Sequence, residues 1–76
     1  MNEEPTICYA MSAIRRFLME RPDSADTLEG IHRWWIRWPG VEEPQRVTRT
    51  ALERLEYAGE LEKIKFGTSV LWRRRR

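Results

Sequence analysis

Residues Val47 to Arg73 read VTRTALERLEYAGELEKIKFGTSVLWR, and this stretch decides the fold. Val47, Ala51, Leu55 and Ala58 recur at helical spacing with Leu52 beside them, so they form the apolar face of one helix. Gly59 stands where a left-handed cap residue belongs, and Leu61 two positions on supplies the accompanying apolar contact. Two short strands are expected next, Glu60 to Phe66 and Ser69 to Arg73, joined by Gly67-Thr68 as a tight turn. Alternation places Lys63 and Lys65 on one face and Ile64 and Phe66 on the other, while Val70 and Trp72 share a face of the return strand. Helix, glycine stop, basic hairpin is the order.

Upstream, Pro44 suits the first turn of that helix. The segment from Trp38-Pro39-Gly40 to Glu43 reads as a turn. Before it, TLEGIHRWWI places Leu28, Ile31 and Trp35 on one face, with Asp26 and Glu29 spaced as a capping box. Gly30 weakens that helix by about 1 kcal/mol relative to alanine, and could let another helix approach closely. The first helix runs from Thr6, with Ile7, Met11, Ile14 and Leu18 as its stripe, to Arg21-Pro22. Arg15 and Arg16 lie off the stripe, and residues 1–5 are expected to fray. The expected architecture is a mainly α domain over residues 6–73, three helices with a small β-hairpin, followed by a basic tail at 74–76.

Composition narrows the function classes. A chain of 76 residues makes one small domain, and no apolar run is long enough to cross a bilayer. The acidic start, MNEEPT, is unlike a secretory leader, so the cytoplasm is the default compartment. One cysteine, Cys8, and one histidine, His32, build neither a disulfide nor a zinc site. No phosphate loop, paired-carboxylate arrangement or nucleophile with an orienting base is present. Neither a cofactor nor a small-molecule ligand is indicated, and the chain does not read as an enzyme.

Charge is distributed unevenly. Residues 1–43 hold five Arg against eight Asp and Glu, whereas residues 44–76 hold nine Lys and Arg against four Glu. A basic C-terminal half suggests an anionic partner on one side, although Arg73 to Arg76 supply most of the excess and could be only a solvated tail.

This order of elements resembles the winged helix-turn-helix superfamily of DNA-binding domains. The resemblance rests on Leu52, Leu55, Gly59, Leu61, Lys63, Lys65 and Gly67. It implies a duplex-DNA-binding protein, a transcriptional regulator, whose third helix enters the major groove. Two features depart from the pattern. The turn from Arg37 to Glu43 is longer than a compact helix-turn-helix turn, and the extra helices by which many such repressors dimerise are missing. A homodimer therefore has to use surface already described.

The outer face of the third helix is centred near Arg46, Arg49 and Glu53, with Gln45 at its edge. Arg and Gln pair bidentately with guanine and adenine edges, and the N-terminal residues of such a helix reach them. Lys63, Lys65 and Thr68 on the hairpin, and Arg73 and Arg74 after it, suit phosphate oxygens. Lysines on a hairpin arm equally guard against edge-to-edge pairing. A second function class rests on Trp34 and Trp38, which lie off the Leu28–Ile31–Trp35 face. If exposed, they anchor a protein partner; if packed, they complete the core around the long turn.

Overall fold

A computed structural model describes residues 2–76. Helix α1 (Glu4–Glu20) begins two residues earlier than the apolar spacing suggests, with Pro5 in its first turn. The expected frayed start at 1–5 is thereby shortened, since Glu4 and Pro5 are helical; Met1 lies outside the described residues. Ile7, Ala10, Ile14 and Leu18 are its buried stripe. It ends at Arg21, whose N–H donates to the Phe17 carbonyl at 2.9 Å just before Pro22.

The segment after α1 departs from expectation. Ala25–Asp26 is a strand, β1, so Asp26 does not cap the next helix. Its carboxylate accepts the N–H of Thr27 at 2.7 Å, and Thr27 is the cap, its hydroxyl accepting the Gly30 N–H at 3.1 Å. Both residues can cap, and the strand pairing of Asp26 shifts the helix start by one. Helix α2 (Leu28–Gly30) continues directly into a π-helical turn over Ile31–Trp35. Gly30 is close to a side chain rather than to another helix: a Cβ there would lie 2.1 Å from the Asp26 carboxylate. Residues 36–44 then run without helix or strand to α3 (Gln45–Tyr57), and Pro44 precedes the helix in extended conformation instead of entering its first turn.

Helix α3 closes as its sequence predicts. Gly59 has φ +82°, its N–H donates to Glu56, and the Glu60 N–H donates to Leu55, both at 2.9 Å. This double bond pattern is the Schellman cap, which requires the left-handed residue. Val47, Thr48, Ala51, Leu52 and Leu55 are buried, whereas Ala58, beyond the last turn, is exposed.

Strands β2 (Leu61–Phe66) and β3 (Ser69–Arg74) pair antiparallel about Gly67-Thr68, with Gly67 at φ +65°. The sheet has three strands in the order β1-β3-β2, because Ala25 and Asp26 pair with Arg73 and Trp72. The fold is therefore three helices with a small antiparallel sheet, mixed α and β, rather than helices with a bare hairpin. Lys63 stands opposite Trp72 and Lys65 opposite Val70. Paired residues share a face, so the lysines lie on the side that buries Leu61 and Trp72, and Ile64, Phe66 and Leu71 lie on the outer side. Trp35 and Trp72 are both core residues, as their positions predict, and Trp35 stacks on Phe17 with centroids 4.4 Å apart.

Candidate nucleic-acid interface

The outer face of α3 and the hairpin meet through Lys63. Its ammonium lies 3.7 Å from Glu56 on the last turn of α3 and 5.4 Å from the centre of the Trp72 ring. Because Lys65 lies two residues further along the same face, the lysine side of the hairpin is the side turned toward α3. Gln45 and Arg49 are exposed at the N-terminal half of α3, and Thr68 is exposed at the hairpin tip. The Lys63–Glu56 pair sets the lysine side of the hairpin beside the last turn of α3, and Arg49 and Gln45 lie about two and three turns nearer the N-terminus on the same helical stripe as Glu56.

Not all of the named cations are free. Arg46 donates to Glu3 at 2.7 Å, tying α3 to the residue before α1. Arg73 donates to Glu62 across the β2–β3 pair at 2.7 Å, and Lys63 is engaged as above. Arg49, Lys65 and Arg74 have no carboxylate partner among the described residues. Arg74 is paired with Leu61 in the sheet, and the Arg75 N–H donates to the Glu60 carbonyl at 3.0 Å, so the basic tail is held to the strand through Arg75.

Two further ion pairs brace the helices. Arg54 forks onto Glu4 with two charge-assisted bonds, which hold the Glu4 carboxyl below its usual range and the guanidinium above its own. Arg15 forks onto Glu60 at 2.7 and 2.8 Å, and this bond likewise lowers Glu60 and raises Arg15. Both pairs face solvent, where screening and side-chain entropy leave an ion pair little net effect on stability.

The tryptophan pair divides. Trp34 is 76% exposed, whereas Trp38 packs against the core, donates its indole N–H to the His32 carbonyl at 3.0 Å and lies beside Tyr9 and His32. Only Trp34 remains as a candidate surface anchor. His32, for which the sequence offered no role, is fully buried with Nδ1 2.6 Å from the Thr48 hydroxyl. Its Nε2 has no hydrogen-bond partner, and the nearest carboxylate oxygen, on Glu42, is 3.4 Å away. Thr48 could have been found from spacing, since it precedes Leu52 and Leu55 by four and seven residues on the same helical stripe.

Among the described residues no cluster of His, Cys, Asp and Glu is arranged to hold a metal ion, and no helix is long and apolar enough to cross a membrane. Comparison with protein-family models, curated proteins and solved structures finds no match to this chain.

Proposed function

We propose that this protein is a winged helix-turn-helix domain that binds duplex DNA and acts as a transcriptional regulator. The helix–strand–helix–helix–strand–strand order, with β3 central in the sheet, supports the assignment of fold family. The observation that carries the functional reading is the shared side of α3 and the hairpin: unpaired Arg49 on the helix and unpaired Lys65 on the strand face that looks toward it. Gln45 and Arg49 read base edges in the major groove, while Lys65, Thr68 and Arg74 hold phosphates. Arg46 joins by exchanging Glu3 for a phosphate, an inexpensive exchange because the pair is exposed and worth about 0–1 kcal/mol. Glu53 and Glu56 confine helix contacts to the first two turns of α3.

The test is fluorescence anisotropy with random-sequence duplex at about 50 and about 200 mM salt, joined to selection of bound duplexes from a random pool. Lys65→Ala is expected to weaken all duplexes alike and flatten the salt slope by about one unit. Arg49→Ala is expected to relax preference at one base position by about 1–3 kcal/mol. Duplex affinity unchanged in both variants sinks the reading.

A further inference from the structure

A second surface lies between α1 and the π turn, and no residue of α3 or the hairpin lines it. It is a groove of about 360 Å³ floored by the Phe17–Trp35 stack and walled by the exposed indole of Trp34. Three guanidiniums stand around it: Arg16 from α1, Arg21 just past its end, and Arg37 after the π turn. Arg21 lies over the Phe17 ring, 5.1 Å from its centre, which leaves its charge directed by an aromatic face instead of a carboxylate.

Three guanidiniums without a carboxylate partner gather at this groove; outside it Arg49, Arg74 and Arg75 are likewise unpaired among the described residues. Arg15, Arg33, Arg46, Arg54, Arg73 and Arg76 each have a carboxylate within salt-bridge distance. Arg16, Arg21 and Arg37 have none among the described residues, although Glu20 lines the same groove. An aromatic floor ringed by unpaired guanidiniums complements a ligand that is apolar at its centre and anionic at its edges. Arginine forks match carboxylates bidentately, and Trp, Tyr and Arg are the side chains that concentrate binding energy in protein interfaces.

We propose that the groove between α1 and the π turn docks an acidic peptide segment of a partner protein, with one aromatic or large aliphatic side chain seated on the Phe17–Trp35 floor beside Trp34. Glu20 favours a peptide over a nucleic-acid strand. A strand carries a phosphate at every nucleotide and meets that carboxylate, whereas a peptide can place an uncharged or basic residue opposite it. The assignment is independent of the DNA reading, because its residues are separate.

The experiment is a fluorescence-polarisation titration of the full chain with a short labelled peptide, a central phenylalanine flanked on each side by aspartates and glutamates alternating with serine. Saturable binding is expected, weakened roughly tenfold or more by the pair Arg16→Glu and Arg37→Glu and by Trp34→Ala alone. The pair Arg49→Glu and Arg74→Glu, an equal change of charge elsewhere, should leave affinity within about threefold. Amide and indole chemical shifts of the unmodified protein supply a reading that needs no variant: peptide-induced changes should centre on Trp34, Arg16 and Arg37. Absence of saturable binding, equal weakening by the two charge-reversed pairs, shifts centred on α3 or the hairpin, or tighter Trp34-dependent binding of a short oligothymidylate would each overturn the proposal.

Discussion

The α1–α3 seam and the seam around residues 36–44 are closed by different chemistry. Between α1 and α3 the contact is apolar inside, with Ile14, Ala51, Leu52 and Leu55 fully buried, and ionic outside, with Arg54 on Glu4 and Arg46 on Glu3. Residues 36–44 have no helix or strand to satisfy their backbone. They are held instead by aromatic side chains and a buried polar pair. Tyr9 donates to the Arg37 carbonyl, Trp38 donates to the His32 carbonyl, and His32 is joined to Thr48. In a small domain these two kinds of closure differ in how far they specify their residues. An apolar seam tolerates exchange of like for like, whereas a polar seam depends on each partner being present.

Substitutions in the two seams should differ in the size of their effects. Leu55→Ala, which opens a cavity in the apolar seam, should cost about 2–5 kcal/mol in denaturant unfolding, a large share of the stability of a domain this small. A loss under about 1 kcal/mol would mean the seam collapses around the gap, contrary to its tight closure. Thr48→Val keeps the shape but leaves His32 Nδ1 without its partner, at about 1–3 kcal/mol, and Thr48→Ser should recover most of that. Equal stability of the valine and serine variants would remove the buried hydrogen bond from the account. Tyr9→Phe deletes one exposed bond to the Arg37 carbonyl and should cost about 0.5–1 kcal/mol, with faster amide exchange confined to residues 36–44.

The ionic rim should give the smallest effect, and its sign follows from the carboxyl shifts. Glu4 and Glu60 have folded pKa values below the ordinary 4.5, so their stabilisation is fully present above that value. It is lost as pH falls through the lowered values. Melting temperature measured from neutral pH downward should therefore decline on the acid side, and Glu60→Gln should make the decline shallower while changing neutral stability by less than about 1 kcal/mol. An unchanged acid limb would show that the Arg15–Glu60 fork contributes nothing in solution.

Legibility in the sequence tracked how local each cause was. The three helices, the glycine stop and the hairpin turn were readable because caps, periodicity and a required positive φ act within a few residues. Strand β1 was not, since two residues are too few to show alternation, and its pairing with Arg73 and Trp72 depends on chain nearly fifty positions away. The π turn also left no mark in the apolar pattern, because Leu28, Ile31 and Trp35 fit an ordinary helical face as well. Of the candidate DNA residues, Gln45, Arg49, Lys65 and Thr68 remain exposed, and Arg46, Lys63 and Arg73 are engaged by carboxylates. In the sequence the groove arginines had nothing in common, Arg16 being off the α1 stripe, Arg21 at the end of that helix and Arg37 at the start of the long turn, because what unites them is the position of the π turn.

By itself the sequence determined that Val47 to Arg73 is a helix stopped by Gly59 and followed by a two-residue-turn hairpin. Those are properties of backbone conformation and side-chain period, set over a few neighbouring residues. The tertiary structure alone decided which of its charges are available. Arg46 and Arg54 are neutralised by Glu3 and Glu4, which lie 43 and 50 positions earlier in the chain. Strand register likewise turned Lys63 and Lys65 toward the helix instead of away from it. An ion pair or a strand face is settled by whatever the fold brings alongside, and only the folded chain specifies that neighbour.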